Sequence, residues 1–150
     1  MRIVLQRVKE AQVKVSDQLV GSIQQGYLLL VGIEELDGEE DITYLIQKVI
    51  GLRVFSDEQG KMNLSIQDVK GELLIVSQFT LFASTKKGNR PSFIRSAKPE
   101  KAEALYVRFI EQMKVNHSHK IATGIFGGDM QVSLVNDGPV TILFDSKNKE

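Results

Sequence analysis

A nearly continuous apolar run follows Gly26 and does most to restrict the fold: Tyr27-Leu28-Leu29-Leu30-Val31-Gly32-Ile33. A strand with one exposed face alternates apolar and polar residues, whereas a strand buried on both faces reads as an unbroken apolar segment. The run therefore predicts a central strand, buried on both faces, in a sheet that other elements must cover.

Two later segments have the period of a helix rather than that of a strand. In the first, apolar residues at i, i+3, i+4, i+7 and i+8 are Ile42, Leu45, Ile46, Val49 and Ile50. Asp37 and Glu40 have the spacing of a capping box, and Gly51 is suited to end this helix. In the second, Pro99 suits the first turn. One face of that helix carries Ala102, Leu105, Tyr106, Phe109 and Met113.

The remaining apolar segments are short or alternate with polar residues, as strands do. Ile3 and Leu5 precede Lys9-Glu10, and Val13 and Val15 follow it, which predicts an opening hairpin. Further strands are expected at 53–55, 73–81, 121–128, 130–135 and 140–144. We predict one α+β domain over residues 1–150, with a mainly antiparallel, barrel-like sheet and two amphipathic helices packed on it.

The composition excludes several classes of function. Lys and Arg total 19, as do Asp and Glu, so no overall field attracts nucleic acid and any RNA contact must rest on a local patch. The absence of cysteine excludes a thiolate nucleophile, a disulfide framework and the usual structural zinc site. Without a leader or the ~20 apolar residues that cross a bilayer, we expect a cytoplasmic protein with no membrane contact.

Two interruptions of apolar strands mark the candidate site. Asn136-Asp137-Gly138-Pro139 separates the last two predicted strands, and by itself Gly-Pro at such a place indicates an ordinary tight turn. The run Leu73-Leu74-Ile75-Val76 leads into Ser77-Gln78-Phe79-Thr80-Leu81, where polar side chains end a strand that should be buried. Two such breaks in one small domain favour a functional site.

The common catalytic motifs are absent, since the sequence has no phosphate-binding glycine loop, no Gly-x-Ser-x-Gly and no His-Glu-x-x-His. The groups near Ser77, Gln78 and Thr80 can donate hydrogen bonds to a developing oxyanion, but they include no general base. That combination favours a substrate that is already activated, with no cofactor and no metal.

Other polar segments allow two interpretations each. Lys86, Lys87, Arg90 and Arg95 lie in a flexible basic segment that is either a solvated loop or a phosphate-binding loop. His117-Ser118-His119 could bind a metal only with further ligands, and an exposed loop is the preferred interpretation.

The pair of motifs, Ser-Gln-Phe-Thr-Leu at 77–81 and Asn-x-Gly-Pro-Val-Thr at 136–141, resembles that of the D-aminoacyl-tRNA deacylase family. The resemblance extends over the whole chain. It implies a homodimeric enzyme that hydrolyses the ester between a D-amino acid and the terminal ribose of tRNA. It also implies that the Gly138-Pro139 bond is cis and that this pair reaches into the other subunit's site, where it acts as a gate against L-amino acids.

The resemblance leaves the mechanism open. An aminoacyl ester is labile, so backbone donors around Phe79 and Thr80 could suffice, with Ser77 and Gln78 as positioning groups. Thr80 as a covalent nucleophile is the alternative, which we disfavour because neither histidine is near it in sequence. A steric gate could not exclude glycine, so glycyl-tRNA is an expected second substrate. Rival functions are a noncatalytic RNA-binding module and a hydrolase of another small ester or amide.

Overall fold

A computed structural model describes residues 1–149 of the chain. Eight strands, two α-helices and one 3-10 turn follow one another along these residues. The strands are β1 Arg2–Val15, β2 Gln18–Ile23, β3 Gly26–Gly32, β4 Arg53–Ser56, β5 Met62–Ser65, β6 Glu72–Ser77, β7 Ile121–Thr123 and β8 Met130–Asp145. The helices are α1 Glu39–Gly51 and α2 Pro99–Asn116, and the 3-10 turn is Phe79–Phe82.

Six strands form one sheet in the order β2-β1-β3-β6-β7, with β8 paired to β1, and β4 and β5 form a separate ribbon. The pairings of β1 with β2, β3 and β8 are antiparallel, whereas β3-β6 and β6-β7 are parallel. The sheet also curls until β2 meets β7, where a Cβ added to Gly21 would lie 2.9 Å from the Thr123 carbonyl oxygen. The predicted α+β class, with a barrel-like sheet and two helices, is confirmed, although the sheet is mixed.

The central strand is the predicted one. Every residue of β3 except Leu30 is buried, because its two faces pack into different clusters. Tyr27, Leu29 and Val31 face the cluster that includes both helices, while Leu28 faces the barrel interior. Gly26 is required at the start of β3, since a Cβ there would lie 1.8 Å from the Glu72 carbonyl oxygen of β6.

Both predicted helices are present, and the buried face of each is the apolar face read from the sequence. Pro99 stands in the first turn of α2, and α1 ends at Gly51 as expected. The capping residues of α1 differ from the prediction. The predicted pair was Asp37 and Glu40, whereas in the structure the Gly38 N–H donates to the Asp41 carboxylate. Burial acts to raise the pKa of Asp41, but hydrogen bonds from Lys147, Ser146 and Gly38 outweigh it and lower the pKa to about 2.

The predicted opening hairpin around Lys9-Glu10 is wrong. β1 continues through these residues as one strand of 14, and the reversal comes later, at Ser16-Asp17. Ser16 and Asp17 adopt φ of 49° and 63°, the left-handed conformation typical of tight hairpin turns. Exposed Lys9 and Glu10 indicated a turn, but here they lie on an exposed part of a long strand.

The predicted turn at Asn136–Pro139 is also wrong, because β8 runs through it as one strand of 16 residues. β1 pairs with β8 on both sides of the interruption, with Gln6 opposite Thr141 and Val8 opposite Asn136. Only Arg7 separates the two β1 residues, whereas residues 137–140 separate their partners. The extra residues form a bulge, which allows the strand to keep its direction.

A buried ion pair joins the first residue to the start of α1. The Met1 ammonium contacts Asp37 Oδ1, and both groups are fully buried. The same ammonium donates to Ser146 Oγ at 2.8 Å, and Asp37 Oδ2 accepts the Glu34 N–H at 2.8 Å. Such a pair holds three distant segments together, and removal of one partner would leave a buried charge unpaired.

The prediction of an exposed loop at His117-Ser118-His119 is wrong for His117, which is 3% exposed. Its Nε2 lies 3.0 Å from the Gly71 carbonyl oxygen, so Nε2 carries the proton, and Nδ1 has no hydrogen-bond partner within residues 1–149. Burial lowers the pKa of His117. Among the same residues, neither helix combines the length and hydropathy of a membrane span.

Candidate active site

The Ser77–Leu81 segment is not the end of a strand, as predicted, but the junction between β6 and the 3-10 turn. The last ladder bond joins the Gln78 N–H to the Val31 carbonyl at 2.7 Å. The Leu81 N–H then bonds back to the Gln78 carbonyl at 3.3 Å, which closes the turn. Parallel β6 therefore ends where its backbone leaves the sheet, and the polar side chains belong to that exit.

The turn presents two backbone donors. Because it begins at Phe79, the N–H groups of Phe79 and Thr80 have no acceptor one turn earlier within it. The Gln78 amide donates to Thr80 Oγ at 2.5 Å, so this hydroxyl is an acceptor. Among the described residues, no histidine or carboxylate forms a hydrogen bond with Thr80 Oγ. The geometry suits stabilisation of an oxyanion better than activation of the hydroxyl.

A cavity of about 610 Å³ lies beside the 3-10 turn. Its walls come from the ends of β3 and β6, the segment 93–99 that leads into α2, the loop at 126–128 and the first residues of β8, Met130 and Val132. Most of the lining is apolar, and the polar residues in it are Ser77, Gln78, Ser96 and Lys98. An apolar pocket with a few polar groups at one edge is the usual form of a small-ligand site.

The four basic residues of the loop do not share one environment. Arg95 binds Glu34 at 3.1 Å and also lies over the Phe82 ring, 5.3 Å from its centroid. Lys86, Lys87 and Arg90 are exposed, and none of them forms a salt bridge with another residue that the structure describes. These three cations are therefore available for an external anion, whereas Arg95 already has a partner.

The Gly138-Pro139 bond is cis, as the resemblance implies, and both residues are exposed. The bulge around them is held by side chains on either side. Asn136 Nδ2 donates to the carbonyls of Arg7 and Val140 at 3.0 and 2.9 Å, which ties the bulge to β1. Arg7 Nε donates to the Asp137 carbonyl at 3.0 Å.

Arg7 was not among the residues singled out in the sequence. It is 8% exposed and its guanidinium also donates to the Val54 carbonyl, so it supports the bulge from beneath. The sequence did contain one sign of this role. Arg7 follows Ile3 and Leu5 at every second position of the strand, so a charged side chain stands where an inward-facing apolar one is expected. A buried arginine in a strand needs acceptors, and the bulge supplies one of them.

Among the described residues no hydrogen bond or salt bridge joins the two motifs, and the cavity is lined by Ser77, Gln78 and Phe79 but by no residue of 136–141. The sheet connects them through paired residues of four strands, which are Ser77, Val31, Ile3 and Phe144. At about 4.8 Å per strand, this is about 14 Å across the sheet. The bulge at 137–140 lies at the level of Arg7, four residues beyond Ile3, or about 13 Å further along the strands.

The histidines lie away from both motifs. His117 is bonded to Gly71, which precedes β6, while Ser77 ends that strand. Within the part of the chain that the structure describes, no group of three His, Cys, Asp or Glu side chains could hold a metal ion.

Comparison with known proteins gives consistent matches over the full length. A family model described as D-Tyr-tRNA(Tyr) deacylase matches residues 4–145. Curated relatives named D-aminoacyl-tRNA deacylase, from Flavobacterium psychrophilum and Cytophaga hutchinsonii, are 55% and 58% identical over 100% of both chains.

Solved structures share the architecture. A c-Myc DNA unwinding element binding protein superposes with a TM-score of 0.92 at 40% identity, covering 97% of this chain and 98% of its own. A probable eukaryotic D-amino acid tRNA deacylase gives a TM-score of 0.79 over 95% and 97% of the two chains. Its 17% identity supports a common fold alone.

Proposed function

The chain belongs to the D-aminoacyl-tRNA deacylase family, and on this basis we propose that it hydrolyses the ester between a D-amino acid and the terminal ribose of tRNA. The observation that carries this proposal is the 3-10 turn at Phe79–Phe82, which begins beside an apolar cavity and whose first two N–H groups have no acceptor within the turn. The reaction makes the protein a carboxylic ester hydrolase.

The proposed chemistry relies on the substrate's own reactivity. Water attacks the ester carbonyl, the carbonyl oxygen becomes an oxyanion, and the N–H groups of Phe79 and Thr80 stabilise it. The vicinal ribose hydroxyl passes its proton to the leaving ribose oxygen and takes up the proton that the attacking water loses, so no protein base is needed. Ser77 and Gln78 position these groups, and Thr80 Oγ accepts the Gln78 amide instead of attacking.

Two substitutions separate a backbone role of the turn from a covalent role of Thr80. Thr80→Ala should retain most of the activity, whereas Phe79→Pro, which deletes an N–H, should lower kcat about 10²-fold to 10³-fold. Gln78 has φ −146° and ψ 82°, outside the helical region, so a following proline is sterically acceptable. Phe79→Leu, which keeps the N–H, is the matched control. Single-turnover hydrolysis measures all three, and a loss of several orders of magnitude in folded Thr80→Ala would favour the covalent mechanism.

We further propose that the active form is a homodimer in which Gly138-Pro139 of one subunit completes the site of the other. The separation of the two motifs within one chain supports this arrangement, as does the exposure of Gly138 and Pro139. On β8, Leu143 and Val135 lie on either side of the bulge and are 75% and 46% exposed, which provides apolar surface for a partner.

In this arrangement the gate rejects L-amino acids by occupying the space into which an L side chain would project. Steric rejection works through a repulsive element and needs no favourable contact with the D side chain. Glycine has no side chain to reject, so glycyl-tRNA is a proposed second substrate.

Phosphate contacts by Lys86, Lys87 and Arg90 are proposed to bind the tRNA, with Arg95 held by Glu34 at the base of the loop. Replacing both Lys86 and Lys87 by alanine should reduce the slope of log K against log salt by roughly one per lost contact. Titration of labelled tRNA between low and moderate salt checks this prediction. Lys61→Ala, outside the basic loop, is the control. An unchanged slope in the double variant would show that the two lysines contact no phosphate and that the loop is only solvent-exposed.

A noncatalytic nucleic-acid-binding role is the second candidate, favoured by the relative described as a DNA unwinding element binding protein. Incubating D-aminoacyl-tRNA with catalytic amounts of the protein decides between the two. Multiple turnovers support the deacylase, and binding without loss of the ester supports the binding module. Competition by uncharged tRNA distinguishes both from a hydrolase of other small esters. The cytoplasmic location stays a prediction, in keeping with a tRNA substrate.

A further inference from the structure

Ser96 makes a contact with the 3-10 turn that the reaction scheme above does not use. Its Oγ donates to the Phe79 carbonyl at 3.0 Å, although the two residues are 17 apart in sequence. Ser96 lies in the segment before α2 and lines the same cavity as Ser77 and Gln78. The hydroxyl therefore bridges two walls of the candidate site.

The contact matters because of what lies on the other side of the same peptide bond. The peptide unit is planar and trans, so the Phe79 C=O and the Thr80 N–H are rigidly coupled and point in opposite directions. A donor that fixes the carbonyl oxygen consequently fixes the direction of the N–H. Thr80 N–H is one of the two proposed oxyanion donors, and rotation of this peptide plane would misdirect it.

Ser96 itself is held in place by its neighbours. It forms a β-bridge with Glu34, and its N–H donates to the Phe93 carbonyl at 3.0 Å. The next residue, Ala97, donates to the Ile33 carbonyl at 2.9 Å, which anchors the segment to the end of β3. A hydroxyl mounted on an anchored backbone can restrain the turn, whereas one on a mobile loop could not.

A second contact also joins the 3-10 turn to the segment before α2. The Phe93 and Phe79 rings pack edge to face, with centroids 5.0 Å apart and an interplanar angle of 70°. This packing restrains the side chain of Phe79 but does not fix its carbonyl. The Phe79 carbonyl also belongs to the hydrogen-bond pattern of the 3-10 turn, so the bond from Ser96 is the contact by which the neighbouring segment holds this peptide plane.

We propose that Ser96 is a positioning residue, which aims the Thr80 N–H at the oxyanion by holding the Phe79 carbonyl. This inference rests on the proposed deacylase function. In this role the hydroxyl acts through the Phe79 carbonyl rather than on the substrate, so its removal should affect the chemical step more than ground-state binding.

The test compares Ser96→Ala, Ser96→Thr and Ser92→Ala with the wild type on a D-aminoacyl-tRNA. One neutral hydrogen bond corresponds to a fall in kcat of about 3-fold to 10-fold for Ser96→Ala, with KM changed less than about 2-fold. Ser96→Thr retains the hydroxyl and should restore kcat. Ser92→Ala is the matched control, since the Ser92 side chain forms no hydrogen bond within residues 1–149 while its backbone pairs with Ser84.

Thermal unfolding of each variant shows whether the fold is intact. The proposal is overturned if folded Ser96→Ala keeps the wild-type kcat, if only its KM changes, or if Ser96→Thr is as impaired as Ser96→Ala. Failure of the proposed function looks different, because the wild-type protein itself would then leave the D-aminoacyl ester intact.

Discussion

Gly138→Ala should lower kcat/KM for the D-aminoacyl ester by about a hundredfold or more. Gly138 has φ 128°, a conformation that residues with a side chain rarely adopt. A Cβ there would lie 2.8 Å from Val140 Cγ2 and 3.0 Å from Arg7 Nη2, so the bulge must shift. Displacement of a positioned group by about 1 Å can cost about 10²-fold in rate. Initial rates on D-aminoacyl-tRNA measure the effect.

Gly60→Ala provides a control for the same measurement, since Gly60 also has positive φ, 76°, but has no atom near its added Cβ. It should lower stability modestly through backbone strain and leave the rate of the folded enzyme unchanged. Loss of activity in Gly60→Ala equal to that in Gly138→Ala would mean that general destabilisation, rather than the bulge, explains the result.

Mixing two inactive variants then tests whether the gate acts across the subunits. Phe79→Pro damages the turn and leaves the bulge intact, whereas Gly138→Ala does the reverse. In a heterodimer with sites shared between subunits, one of the two sites combines an intact turn with an intact bulge. Re-equilibrated mixtures should therefore recover activity. If heterodimers form and no activity returns, the gate does not act across subunits.

Asp37→Ala should destabilise the fold by about 3–5 kcal/mol, because it leaves the buried Met1 ammonium without its counter-charge. The change also removes the acceptor for the Glu34 N–H. Denaturant unfolding at neutral pH measures the loss as a lower midpoint. Because a single domain has only about 5–15 kcal/mol of stability, this variant should be close to unfolding at moderate temperature.

Arg108→Ala is the matched control for a salt bridge at the surface. Arg108 pairs with Glu39 at 2.8 Å, but the two side chains are 51% and 52% exposed. Exposed pairs contribute about 0–1 kcal/mol, so this variant should unfold almost like the wild type. Equal midpoints for Asp37→Ala and Arg108→Ala would contradict the assignment of the Met1–Asp37 pair as a major stabilising contact.

Periodicity predicted the elements whose environment is uniform along their length. The apolar run at Tyr27–Ile33 predicted β3 because both of its faces are buried, and the two helices showed their buried faces at helical spacing. Such patterns report burial directly. They do not report which strands pair, so the parallel pairings of β6 could not be read from them.

Local turn signals were misleading where long-range pairing decides the conformation. Lys9-Glu10 and Gly138-Pro139 both interrupt apolar alternation, yet β1 and β8 continue through them because each strand pairs with the other on both sides. Their partners are more than a hundred residues away in sequence, so a local window contains no trace of them. His117 is similar, since the acceptor that makes its burial tolerable belongs to Gly71.

The candidate site was predicted in part. The Ser77–Thr80 segment could be found because polar residues follow a buried strand, and the pair of motifs gave the family. Arg7 and Ser96 could not be found in this way, because each supports the site through backbone carbonyls, of Asp137 and Phe79 respectively. Every residue type has a backbone carbonyl, so the sequence does not show which residue accepts such a hydrogen bond.

The central claim is that this protein hydrolyses D-aminoacyl-tRNA and spares the L isomer through a steric gate. The most direct test measures initial rates of ester loss for the D-aminoacyl, L-aminoacyl and glycyl esters of tRNA, at catalytic protein concentration. We expect rapid loss of the D and glycyl esters and survival of the L ester. Equal loss of the D and L esters, or survival of the D ester, would contradict the proposed function, and glycyl-tRNA spared as completely as the L ester would contradict the steric gate.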